Sequence, residues 1–261
     1  MSVMVAEGTL AAEEFVPPGV GTFIYPPIFG EVTKPIVMVV LSAVIIAGYF
    51  VVTSRRLAMV PGRSQFVAES FYGIARNTMA RDQIGGTEFL RYVPLILGLF
   101  SFVLVNNLFG IIPLFQFPTM SRIGFPVALA LFVYVFYHYA GFRKHGFVGY
   151  FKHALFPPGA PAFVYVIIAP IEFLQKFIVQ PVALAVRVFA AMFAGHLVLV
   201  LFAVAAEFLL LQGGLLAVVA PLSFIAAIAF TFLEALVMVI QAYIFALLAA
   251  VFIGAAVSEE H

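Results

Sequence analysis

One arginine stands alone in the apolar run at 181–200, PVALAVRVFAAMFAGHLVLV. Arg187 has no acidic residue within two helical turns, so its charge must be met by a group outside the stretch. A cation held within a bilayer costs about 2.5–17 kcal/mol by different measures, and such a residue marks function by default. At helical spacing Ala183, Arg187, Ala190, Ala191 and Ala194 share one face, and a strip of small side chains lets another helix come close. The pattern presents a fixed cation to a partner packed against this face, or passing it, in lipid. An arginine snorkelling to the headgroups is the competing reading.

Three more polar side chains bear on proton chemistry. His196 lies nine residues beyond Arg187, on the opposite side of its helix, while Glu234 and Gln241 are seven apart and share a face of the next apolar run. A histidine beside a carboxylate inside a membrane has a titratable group on each partner, as a proton relay requires. A buried ion pair that serves only packing is the alternative. Glu172 would sit about 22 Å from Arg187 along a continuous helix, far enough to belong to a separate aqueous access route. Lys176, one turn on, offers Glu172 a plain salt bridge instead. Asn106 and Asn107 are adjacent and cannot both face one neighbour; their amides suit either interhelical hydrogen bonds or the lining of a wet cavity. His138 falls near the end of a span, where an interfacial position is expected. The chain has no cysteine, hence no disulfide, thiolate metal site or thiol nucleophile, and no cofactor is expected.

The elements that position these groups are membrane helices. With 64% hydrophobic and 10% charged residues and a mean hydropathy of +1.16, the 261-residue chain lies far outside soluble usage. A net charge of +1 argues against a nucleic-acid partner. Trp is absent, so interfacial aromatic belts must come from Phe and Tyr. The pattern predicts an all-α polytopic protein with about five membrane helices. Residues 1–34, with Glu7, Glu13, Glu14 and Glu31 and several prolines, read as an N-terminal extracytoplasmic segment without a signal peptide; 35–261 read as a single integral membrane domain. A first span covers 36–53.

Six arginines between 55 and 91 (Arg55, Arg56, Arg63, Arg76, Arg81, Arg91) outnumber the three acidic residues there, which places this segment in the cytoplasm and the N-terminus outside. Within it, 64–80 wound as a helix puts Gln65, Glu69 and Arg76 opposite Val67, Phe71, Ile74 and Ala75, the pattern of an interfacial amphipathic helix. Spans over 93–112 and 123–142 follow, then a second basic loop at 143–153 and the breakers Pro157, Pro158 and Pro161.

From Ile171 to Leu211 only Pro181 interrupts the helical pattern, which gives about 60 Å of helix against a hydrocarbon core of about 30 Å. Leu215 to Val257 is likewise overlong, broken only by Pro221. Two such helices suggest a steeply inclined hairpin, with a pair of proline-kinked short segments as the alternative. Gln212, Gly213 and Gly214 form its natural turn. In an antiparallel hairpin about position 215, residues whose numbers sum to about 430 share a depth, so His196 meets the level of Glu234 and Arg187 that of Gln241 to Tyr243.

The arginine in PVALAVRVFAAMFAGHLVL, the last helix TFLEALVMVIQAYIFALLAAVF and NNLFGIIP at 106–113 together resemble subunit a of F-type ATP synthases, from roughly residue 90 to the end. The resemblance implies a proton-conducting stator subunit of the bacterial plasma membrane, with a cytoplasmic C-terminus. Its implied partners are a rotor c-ring, peripheral-stalk b-type subunits and the rest of the complex. It implies that Arg187 faces the rotor carboxylates and that His196, Glu234 and Gln241 line the half-channel open to the outside. Many members carry the acid at the position of His196 and the histidine at that of Glu234; the reversal preserves the pair. Many also have asparagine where Ala191 stands, and an acid near Glu172, which is one residue out of register. The chain has no G-x-x-x-x-G-K-[ST] motif, so nucleotide chemistry would belong to other subunits. Two rivals remain from the residues alone: a proton-coupled transporter or channel, for which no internal repeat is visible, and a haem-binding anchor using His138 and His196.

Overall fold

The computed structural model describes residues 15, 17–23, 26–55, 57–156 and 163–258. Glu7, Glu13, Glu14, Arg56 and the 157–161 proline cluster lie outside the described residues. A short 3-10 turn, Val20–Phe23, leads into an antiparallel hairpin of β1 (Pro27–Phe29) and β2 (Val32–Thr33), turned through Gly30. Every regular element described after it is a helix. The helices are α1 (Lys34–Ser54), α2 (Arg63–Gly73), α3 (Asp82–Ile84), α4 (Phe89–Leu108), α5 (Gly124–Leu155), α6 (Tyr165–Leu174), α7 (Gln180–Gln212) and α8 (Gly214–Val257). Wider π-helical turns, Ile74–Arg81 and Gln175–Val179, join α2 to α3 and α6 to α7. The second lies just ahead of Pro181, which has no N–H to give the Phe177 carbonyl, and here Gln180 N–H bonds the Gln175 carbonyl five residues back.

Five stretches are long and apolar enough to cross a membrane: α1, α4, α5, the run Tyr165–Gln212, and α8. The 48-residue run and the 44-residue α8 correspond to about 70 Å and 66 Å of helix, more than twice the hydrocarbon thickness, so neither can stand upright within it. They form one antiparallel hairpin. Gly213 and Gly214 turn it with φ of 69° and 58°, a left-handed backbone that few other residues accept.

Helix α8 is the axis of the molecule, packed against α7, α4 and α5. Its buried side chains Ala242, Ala246, Ala249 and Ala250 let those helices approach, and Ile96 and Val103 of α4, Val133 of α5 and Leu184 and Met192 of α7 fill the space between. Only Pro35, Met38 and Ser42 of α1 are buried, and most of that helix lies at the surface of the chain. A smaller core of Phe23, Met38, Phe109 and Phe117 closes the end nearest the β-hairpin.

Two expectations need correction. The basic stretch 143–153 is not a loop: α5 runs on to Leu155, kinked at Gly146 with φ of 71°. The 63–84 segment keeps the amphipathic expectation only in part: Glu69 and Arg76 are exposed and Phe71 and Ala75 pack inward, but Gln65, Val67 and Ile74 do not follow it. Gln65 is buried, exchanging bonds with the backbone N–H and carbonyl of Ala58 and donating to Glu69, whereas Val67 and Ile74 are exposed. Gln65 can be buried because the Ala58 backbone satisfies its amide, as a buried polar side chain requires. His138 is buried within the protein, its Nδ1 2.6 Å from the Tyr150 hydroxyl and its ring packed on Tyr134, Tyr137 and Phe177.

Candidate functional site

The α7/α8 hairpin carries two chemically distinct faces. On the outer face of α7, Ala183, Arg187, Ala190 and Ala194 are exposed and Ala191 is half-buried, so the small-residue strip lies on the surface as its spacing predicts. Arg187 forms no hydrogen bond or ion pair among the described residues. It borders an open cleft of about 440 Å³ with Ala183, Leu184 and Gln180 of its own helix and Leu248 and Phe252 of α8. The cation thus stands on the helix surface, beside small neighbours, with its charge unanswered among the described residues.

On the opposite face of α7, His196 is 6% exposed and meets Glu234, 3% exposed, across the hairpin with Nδ1 and Oε1 3.7 Å apart. Gly195 lies against the acid, whose Cγ would stand in ordinary contact, 3.5 Å, with a Cβ added there. The separation is too long for a direct hydrogen bond. His196 Nδ1, both Glu234 oxygens and Gln241 Oε1 are buried and make no hydrogen bond to protein. Buried polar atoms are normally satisfied, so four left over along one seam leave hydrogen-bonding capacity for water or a transferred proton.

Asn106 and Asn107 separate as adjacency requires. Both are fully buried. Asn106 donates to Ser42 Oγ at 2.7 Å and to the Phe102 carbonyl, and accepts from Thr119 Oγ1, so it ties α1 to α4. Asn107 turns to α8 and donates to the Met238 carbonyl at 3.4 Å, while its Oδ1 is left without a protein partner. Met238 lies between Glu234 and Gln241, and these two are about 10 Å apart along the axis. Asn107 therefore joins the same seam midway.

Glu172 does not join this seam. It pairs with Lys176 at 3.1 Å, and Lys176 Nζ also donates to the Ala154 carbonyl at 2.7 Å, so the competing salt bridge is present. No hydrogen bond links Arg187 to Gln241 among the described residues. His138 and His196 share no ring neighbour, and no group of three or more metal-binding side chains occurs among the described residues.

The sequence reading missed Phe23. Its ring, 4% exposed, sits edge-on to His196 at 5.8 Å and against Phe193 at 4.6 Å, closing the seam at the end nearest the β-hairpin. A lone aromatic among prolines carries no periodic signal that could have placed it there.

A family model described as ATP synthase A chain matches residues 36–254. A protein of Nocardioides sp. named ATP synthase subunit a is 43% identical, over 97% of this chain and 97% of its own length. Proteins of the same name from Pseudarthrobacter chlorophenolicus, 44% identical over 95% and 96%, and Streptomyces lividans, 37% identical over 95% and 89%, are also similar. The likeness extends well ahead of residue 90, where the motifs alone placed its start.

Proposed function

Because this chain belongs to the ATP synthase A chain family, we propose that it is the proton-translocating stator subunit of a rotary ATP synthase, with two offset half-channels and Arg187 fixed against the carboxylates of a rotor ring. The observation that carries this reading is the division of the hairpin. An unanswered cation lies exposed among alanines on one face of α7, and an unsatisfied histidine–carboxylate pair lies buried on the other. Guanidinium does not deprotonate at any relevant pH, so Arg187 acts as a permanent charge. A rotor carboxylate that comes opposite it is favoured in its ionised form, which promotes release of its proton. The same charge repels protons and stops a leak from one half-channel to the other.

The seam of His196, Glu234, Asn107 and Gln241 supplies the half-channel open to the outside. Protons pass by protonation of imidazole and carboxylate in turn, with water at the unsatisfied atoms between them. Glu172 is assigned to the cytoplasmic route, where its salt bridge to Lys176 would open to accept a proton. Residues 1–34 form the extracytoplasmic segment, 35–261 one membrane domain, and the C-terminus is cytoplasmic. A peripheral stalk of b-type subunits holds the chain against rotation, and ATP is bound and turned over elsewhere in the complex.

Disulfide trapping tests the rotor contact. Because the chain has no cysteine, Ala190→Cys can be paired with single cysteines on the ring subunit, with Val135→Cys on the exposed face of α5 as control. Cross-links from position 190 and none from 135 are expected; the reverse pattern would move the rotor to another face.

A further inference from the structure

We propose that the seam between α4 and α5 binds one anionic two-chain phospholipid, with its phosphate held by Arg91 and Arg143 and an acyl chain laid along Gly98. The proposal does not depend on the stator reading. At one end of the seam a cleft of about 280 Å³ is lined by Arg91, Tyr92 and Glu88 at the start of α4 and by Tyr139, Arg143 and Lys144 of α5. Glu88 pairs with Lys144 at 2.7 Å, which answers the acid. Arg91 and Arg143 are exposed and their side chains form no hydrogen bond or ion pair among the described residues, so two guanidinium groups line one cleft whose single carboxylate, Glu88, is already paired with Lys144. Planar guanidinium forks bind phosphate oxygens in pairs, and tyrosines such as Tyr139 are suited to headgroup depth.

Deeper along the same two helices lies a second, apolar groove of about 420 Å³, lined by Leu95, Gly98 and Phe102 of α4 and Leu129 and Phe132 of α5. The two cavities fall on single helical stripes. Arg91, Leu95, Gly98 and Phe102 follow the i, i+4, i+7, i+11 pattern, and so do Phe132, Phe136, Tyr139 and Arg143 in the antiparallel helix. Each stripe ends in an arginine at the same end of the seam. From Arg91 to Phe102 is about 16 Å of rise, close to half of a hydrocarbon core of about 30 Å, which is the reach of one acyl chain in one leaflet. Charge at the interface and a leaflet-deep apolar groove below it match a lipid; an acidic protein segment would leave the groove unused.

The test uses the assembled complex, stripped of lipid, exposed to equal amounts of phosphatidylglycerol and phosphatidylcholine, and weighed by native mass spectrometry. Wild type should retain phosphatidylglycerol selectively. The double variant Arg91→Gln with Arg143→Gln should lower that retention by about 30-fold, each juxtamembrane cation being worth about fivefold in affinity for an anionic lipid surface. Gly98→Phe provides a second arm that leaves the charges intact. A Cβ at Gly98 meets nothing within 4 Å, so the ring can enter the groove without displacing protein, and it should reduce phosphatidylglycerol retention on its own. Equal retention of the two lipids would overturn the proposal. Displacement of the lipid by inorganic phosphate, with no effect of Gly98→Phe, would reduce the cleft to an anion site and also overturn it. Loss of a protein subunit from the double variant with lipid retention unchanged would make the cleft a protein contact and do the same.

Discussion

His196 and Glu234 meet across the α7/α8 hairpin at 3.7 Å, both more than nine-tenths buried, at the depth that their numbers require for a turn at Gly213 and Gly214. Pro221 does not disturb this register, because α8 remains one continuous helix through it. The pair is placed at ion-pair range without a hydrogen bond, and neither Glu234 oxygen has a protein partner. A pair kept for packing would be expected to close that gap, since an unsatisfied buried polar group costs about 1–3 kcal/mol. The open spacing favours proton handling.

Arg187→Ala should abolish ATP-driven proton pumping and ATP synthesis while leaving the complex assembled, because the side chain is exposed and makes no bond among the described residues. Arg187→Lys should not restore full function, since an ammonium is a compact charge whose pKa falls on burial. Proton flux in inverted vesicles and subunit content on native gels give the two readouts. Normal coupled synthesis by the alanine variant would remove the fixed-charge role.

Asn106 and Asn107 should part company under substitution. Asn106 is a node of three bonds, to Ser42 of α1, to Phe102 of its own helix and from Thr119, so Asn106→Ala should lower thermal stability, by about 1–2 kcal/mol for polar links within a membrane bundle, with flux largely retained. Asn107 makes one long bond and leaves its Oδ1 on the seam, so Asn107→Ala should slow flux several-fold with little change in melting temperature. Melting in detergent and flux in vesicles separate the two; the opposite assignment would take Asn107 off the proton path.

The first helix should divide the two sides of the membrane. Glu31→Cys in the β-hairpin and Ser64→Cys at the start of α2 flank α1, and both positions are exposed. An impermeant maleimide should reach the first from outside and the second only from the cytoplasm, as the arginines of 55–91 demand. Labelling of both from one side would mean that α1 does not cross.

What the sequence disclosed follows from which forces act locally. Helix lengths, the glycine turn and the alanine strip around Arg187 come from composition and a fixed rise per residue, and they carried through to the depth match of His196 with Glu234. The burial of Gln65 was not legible, since its partners are backbone groups of Ala58, in the non-helical stretch before α2, which no helical period reveals. The His138 cluster was hidden for a similar reason: Tyr150 reaches it only because α5 kinks at Gly146 and brings its last turns back. The continuation of α5 past Arg143 was obscured by a charge-rich composition that suits a cytoplasmic helix as well as a loop.

The last prediction concerns whether His196 and Glu234 act as one unit. Both stand at one depth, on facing sides of the hairpin, with their unsatisfied atoms turned into the same seam. His196→Ala and Glu234→Ala should each strongly slow proton flux, because either removes one station and leaves the other without its relay neighbour. The two losses should not add in the double alanine variant, since groups within contact distance share an interaction energy of about 0.5–3 kcal/mol. Exchange is the sharper measurement. Placing Glu at 196 and His at 234 in one chain preserves the two titratable groups and their facing positions, so appreciable flux should return, above that of either single alanine variant. Strictly additive losses with no recovery on exchange would show that the residues act independently and that protons take another path through the hairpin.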